Sequence, residues 1–145
     1  MLSSNLALRK RYFAELSNIV YDSVQVPVFF SMLPTSIAPG LYITFGQIRN
    51  VDDSNKSASV TKTSVTVSVY TNSLKYNDGV AVEAVANEVL NRIYKNPQFK
   101  ILTDSFFQVI GTELTGDMTN DYSTNQNVYI DRILIFEHTI FQNVS

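Results

Sequence analysis

Chemistry needs nucleophiles, bases or metal ligands at workable spacing, and this chain offers few. His138 is its only histidine, and it has no cysteine. Disulfides and thiolate metal sites are therefore excluded, and a lone imidazole does not make a zinc site. His138 is also the only candidate imidazole base for nucleophilic catalysis. It lies in VYIDRILIFEHTIF, Val128–Phe141, between Glu137 and Thr139 and among bulky apolar residues. That setting assigns it to packing or to a structural hydrogen bond. Asp52 and Asp53, with Ser54 and Asn55, suggest a metal pair, but a calcium loop needs more oxygen ligands at fixed spacing and a glycine for its turn. Asp117 and Asp121 fall short in the same way, so all four carboxylates read as solvated loop groups. The five glycines are scattered and form no phosphate loop, dinucleotide fingerprint or nucleophile elbow. The expectation is a chain with no catalytic, cofactor-binding or metal-binding residues, and not an enzyme.

The elements that would have to position any site are legible from periodicity. Ser4–Asp22 reads as a first helix, with Leu6, Leu8, Phe13, Leu16, Ile19 and Val20 as a broad apolar stripe. Val24–Met32 is short and β-prone, and Pro27 makes it an edge or irregular segment. Pro34 and Pro39–Gly40 mark a turn-rich connection. Leu41–Arg49 alternates, with Leu41, Ile43, Phe45 and Gln47 on one side and Tyr42, Thr44, Gly46 and Ile48 on the other. The polar stretch Asn50–Ala58 then leads to Val60–Thr71, where Val65, Val67 and Val69 share one face and Thr66, Ser68 and Tyr70 the other. So short a connection implies an antiparallel hairpin. Asp78–Lys95 is the second helix, capped by Asn77 or Asp78, with Val82, Val85, Ala86, Val89, Leu90 and Ile93 at helical spacing and Glu88 four residues before Arg92. Phe106–Leu114 is a strand, Thr115–Asn127 a polar turn, and Val128–Phe141 the last strand.

That last strand is apolar on both sides. Val128, Ile130, Leu134, Phe136 and Ile140 share one face; Tyr129, Ile133, Ile135 and Phe141 share the other. A sheet covered on one side alternates apolar and polar residues, so the second face asks for a covering layer. The order α-β-β-β-α-β-β gives an α+β fold: a mostly antiparallel four- to five-stranded sheet with two helices on one face, in a single domain over residues 1–145.

Composition points the same way. Hydrophobic residues make up 45% and charged residues 17% of the 145, which argues for a packed core and for surface buried in an assembly. The net charge of −2 is unevenly spread. Residues 1–102 hold ten Lys/Arg against seven Asp/Glu, whereas residues 103–145 hold Arg132 against six acids. One face of a subunit could thereby attract the opposite face of its neighbour, as in a head-to-tail ring. Bulk attraction to nucleic acid is not indicated. The N-terminal MLSSNLALRKRYF does not read as a signal peptide, and no apolar run reaches transmembrane length.

Taken together, these features resemble the tail-terminator or tail-completion proteins of long-tailed bacteriophages. The resemblance covers about residues 5–141. It rests on the opening helix, the proline-bearing VYDSVQVPVFFSM, the PG-LYITFG entry to the hairpin, the valine-rich strand ending Tyr70–Thr71, the helix DGVAVEAVANEVLNRIY and the closing DRILIFEHTIF. Thr115–Asn127 is longer than the pattern suggests. The resemblance implies a non-enzymatic virion protein, assembled in the host cytoplasm. It would form a ring, usually hexameric, on the end of the tail tube, and would meet the tube protein and the head-side connector or neck protein. Double-stranded DNA would pass through the lumen without sequence-specific binding, and no membrane would be involved. The candidate contacts with neighbours or partners are Arg49, Asp52, Asp53, Lys56, Lys62, Asp117, Asp121, Ile133 and Ile135. Two alternatives stand beside this reading: another connector, neck or tail-ring protein, and a soluble ligand-binding α+β domain with a pocket between helices and sheet.

Overall fold

A computed structural model of the chain describes residues 3–34, 37–54, 59–100 and 106–142. Among these residues the fold is α+β, with two α-helices, a five-stranded sheet and a small separate hairpin. The first helix, α1, spans Asn5–Leu16. It ends earlier than its apolar stripe suggests, because Val20–Tyr21 (β1) turns back onto Val24–Gln25 (β2). Asp22 and Ser23, the two residues between them, have φ of 52° and 64°. Two consecutive left-handed residues are what a two-residue hairpin of matching twist requires. The side of α1 that packs inward carries Ala7, Leu8, Tyr12 and Leu16, while Leu6 is exposed.

The large sheet runs in the order β3-β4-β5-β7-β6, where β3 is Val28–Phe30, β4 Leu41–Asp52, β5 Ser59–Thr71, β6 Phe107–Asp121 and β7 Ile130–Gln142. Pro27 directly precedes β3, which lies at the sheet edge and pairs parallel with β4; the other three pairings are antiparallel. The second helix, α2, spans Val80–Ile93, and its N-cap is Gly79 at φ 76° rather than Asn77 or Asp78. Asp78 still contributes, as its Oδ1 accepts the Val80 N–H at 3.1 Å. The expected Glu88–Arg92 pair forms at 2.9 Å, and Arg92 also donates to the Glu15 carbonyl, tying α2 to α1.

Both helices lie against one side of the sheet. Ile43 and Phe45 of β4, Val65, Val67 and Val69 of β5, and Leu134, Phe136 and Ile140 of β7 meet Leu8, Tyr12, Val82, Val85, Val89 and Ile93 in one buried cluster. The space between helices and sheet is thus filled by side chains, as a core packed to crystal density demands.

Two strand boundaries and one register differ from the sequence reading. β4 continues through Asp52, so Arg49 and Asp52 are strand residues and the connection to β5 is only residues 53–58. Thr115–Asp121 is not a turn; it prolongs β6, paired with Ile130–Ile135 of β7. β4 also carries an irregularity between Gly46 and Arg49, with Gln47 at φ 49°. One extra residue there reverses the alternation. Ile48 therefore packs against the core, and Arg49 moves to the opposite side.

Candidate functional site

Among the described residues, the sheet's second side carries no helix, and its residues follow from the register. Proceeding across β4, β5, β7 and β6, one row reads Arg49, Ser64, Glu137, Glu113. The next outward row reads Val51, Lys62, Thr139, Gly111. Inward lie Thr66, Ile135 and Gly116, then Ser68, Ile133 and Met118, then Tyr70, Asp131 and Asn120. The intervening rows point to the core, as Thr63 and His138 show by being wholly buried.

An aromatic row closes one end of this open side. Phe29, Tyr42, Tyr70, Tyr129 and Tyr122 follow one another at centroid spacings of 6.2, 5.7, 5.5 and 5.8 Å. Such offset contacts add roughly 0.5–1.5 kcal/mol each beyond burial. Tyr42 and Tyr70 are buried in this row, while Tyr129 and Tyr122 stay 41% and 65% exposed. Burial, followed by the neighbouring Tyr129 and Tyr42, raises the Tyr70 hydroxyl above its ordinary value. The sequence placed Tyr42, Tyr70 and Tyr129 on one side of their strands, but only the register aligns them.

Ile133 and Ile135 lie on this open side and are half-buried. Ile135 lies directly over Gly116, where an added Cβ would come within 3.0 Å of its Cδ1 and 3.3 Å of its Cβ. Part of the covering that the second apolar face requires is therefore supplied by the neighbouring strand.

The charged candidates divide into two groups. Arg49 and Lys62 are exposed on β4 and β5 of the open side. Glu113 and Glu137, which sequence reading left out, stand directly opposite each other across β6 and β7. Like charges in that arrangement repel. None of these four has an ion-pair partner among the described residues. Asp117 lies on the helix side instead, where Arg132 Nε and Nη2 donate to its two carboxylate oxygens at 2.9 and 2.8 Å. Arg132 also donates to Glu83 at 2.7 Å and to Asn87 at 3.1 Å, so one guanidinium joins β6, β7 and α2. The hydrogen bond from Arg132 holds the Asp117 carboxyl below its usual value. Asp121 ends β6 and accepts the Ser123 N–H, while Asp52 ends β4 and accepts the Ser54 N–H. Asp53 is exposed just beyond. Lys56 lies outside the described residues.

His138 is a core group. Its ring stacks on Phe99 at 5.1 Å, with Tyr12 Oη 2.5 Å from Nε2 and Thr112 Oγ1 2.9 Å from Nδ1. Both hydroxyls can donate or accept, so either neutral tautomer is satisfied. Among the described residues, no group of three or more acidic, histidine or cysteine side chains could hold a metal ion, and no helix is long and apolar enough to cross a membrane.

No protein family's sequence profile matches the chain, and no curated protein matches it. Its fold does match a solved structure. A chain of the virion of a native gene transfer agent particle superposes with a TM-score of 0.71, covering 97% of this chain and 99% of that one at 15% sequence identity. The two chains share a fold from end to end.

Proposed function

We propose that this protein is a virion structural subunit of a phage-like particle. It forms a ring at the head–tail junction that terminates the tail tube and joins it to the head-side connector. The observation that carries the reading is the end-to-end likeness to a virion chain. An open sheet side with half-buried Ile133 and Ile135, and with charges at both margins that have no ion-pair partner among the described residues, suits a subunit that meets copies of itself. The exposed turn at Asp53 and Ser54 is the candidate axial contact with tube or connector, and Asp52 positions it through Ser54. The lumen passes DNA without gripping it, because groups that neutralise phosphates would hold the strand in place. Asp121 serves that role better than Asp117, whose charge Arg132 already balances. Catalysis has no place in this reading.

The test is to mix purified protein with tail tubes grown from the cognate tube protein and to image them by electron microscopy. Rings capping tube ends and arrested elongation are expected. Tubes that keep growing uncapped would overturn the reading. A ring found at another level of the neck would favour the connector alternative.

A further inference from the structure

We propose that a second copy of this chain docks laterally, with the free margin of β4 in one copy lying antiparallel beside β6 of the next. The inference deepens the ring-subunit reading and rests on it. β3 covers β4 only at Ile43–Phe45. Beyond that, at Arg49–Asp52, the sheet is four strands wide among the described residues, and β4 is its edge. β6 is the opposite edge. Because each neighbouring pair from β4 to β6 is antiparallel, β4 and β6 run in opposite directions. A copy placed head-to-tail therefore presents β4 antiparallel to β6, the arrangement a two-stranded ladder needs.

The two margins match residue by residue. The row that begins with Arg49 ends with Glu113, backed by Glu137. The three strand gaps separate Arg49 from Glu113 by about 14 Å, too far for a pair within one subunit. The next row begins with Val51, 51% exposed, and ends at Gly111 beside Ile110, 54% exposed. Lateral docking sets Arg49 against Glu113 and Val51 against Gly111, next to the exposed Ile110, and brings Lys62 toward the same acidic margin. It also relieves the Glu113–Glu137 repulsion. Register shifts at Val109/Gly111 and Leu114/Gly116 interrupt β6 on either side of this stretch. Bulges of this kind discourage indiscriminate edge pairing and leave Gly111–Leu114 as the regular segment that a neighbour can read.

Three variants test this by sedimentation velocity and native mass measurement: R49E/K62E, E113K/E137K, and the fourfold swap carrying all four changes. Near-ultraviolet circular dichroism of each checks that the changes, three at exposed residues and one at the half-buried Glu137, leave the fold intact. Each double reversal should raise the concentration for half-assembly by at least about tenfold, since like charges then meet at the margin. The fourfold swap, or an equimolar mixture of the two double variants, should restore assembly. Raising the salt should weaken the parent ring. Rings unaffected by either reversal would overturn the lateral pairing while leaving the ring-subunit reading standing. So would reversals that neither the swap nor the mixture rescues. A parent chain that is monomeric in solution yet caps tube ends would also overturn this self-docking alone, whereas rings that obey the charge swap but never cap tubes would overturn only the proposed function.

Discussion

Acid should weaken this fold from about pH 6.5 downward, and His138 is the cause. The ring is wholly buried between Tyr12, Phe99, Thr112 and Phe136. Burial pulls its pKa from 6.5 down to about 4. Both hydroxyl partners can accept a hydrogen bond from a protonated ring, so protonation breaks no contact; its cost is desolvation of the charge. The sign follows from linkage. The unfolded chain binds the proton more tightly, so the stability tied to the neutral ring is complete above pH 6.5 and is lost as pH falls toward 4. Each tenfold difference in proton affinity is worth about 1.4 kcal/mol. Between pH 7.5 and 5 the loss is about 2 kcal/mol, rising to about 3 below pH 4. The carboxyls held below their ordinary value, Asp117 through Arg132 and Asp52 and Asp121 through serines, act in a lower window, from about 3.8 downward. Urea unfolding at one fixed subunit concentration, from pH 7.5 to 5, isolates the histidine. The His138→Gln variant should be less stable overall but flat across that interval. A parent curve that is itself flat, or a variant that keeps the slope, would refute the reasoning.

Three further outcomes are expected. Arg132→Lys replaces a two-pronged bond to Asp117 and a contact to Glu83 with a single point charge, and should cost about 1–2 kcal/mol in urea unfolding, against about 3 for Arg132→Ala; a Lys variant as stable as the parent contradicts the role given to the fork. Gly116→Val forces Ile135 from its place over the strand and should cost about 1–3 kcal/mol, with part of the loss recovered when Ile135→Ala is added, so strictly additive losses in the double-mutant cycle would argue against the contact. Leu134→Lys puts an unpaired charge into the buried cluster and should abolish folding as read by circular dichroism, whereas Ile133→Lys on the open side should leave the melting curve within a few degrees and reduce assembly; equal loss of fold in both would remove the distinction between the two sides.

Where side chains bury against helices, the sequence was readable. The alternation of β7 placed Leu134 and Phe136 apart from Ile133 and Ile135, and the spacing of Val82, Val85, Val89 and Ile93 marked the inner face of α2. Polar satisfaction hid the second half of β6. Asp117, Thr119 and Asn120 look like turn residues in isolation, yet they bond to Arg132, Glu83 and Asp131 once β7 lies beside them. The candidate surface was obscured by a single residue. Strict alternation assigns Arg49 to the core side with Ile43 and Phe45, and the left-handed Gln47 reverses it. Local sequence carries no mark of that reversal beyond Gly46, which is needed because Ser31 Cα stands 3.1 Å from where its Cβ would be. Glu113 could not have been singled out without knowing that it faces Glu137.

The same irregularity explains why stability and assembly can be governed by different residues of one strand pair. At Ile43–Phe45, β4 is shielded by β3, and its outward residues Tyr42 and Thr44 are held by the aromatic row and by β5. Past Gln47 the strand loses its neighbour, and its polarity changes with its exposure: Asn50 turns inward to Asn5 and Thr63, while Arg49 and Val51 turn outward. The bulge thus separates a length of β4 that builds the subunit from a length whose backbone and side chains are left available. β6 divides in the same manner. Its helix-side residues Leu114 and Asp117 pack or pair within the subunit, and Ile110 and Glu113 do not. A margin composed this way, one positive and one negative end with an apolar residue beside each, favours one relative orientation of two copies and penalises its reverse. Directional contact of that kind suits a sheet with two edges to the ring proposed above rather than to indiscriminate aggregation.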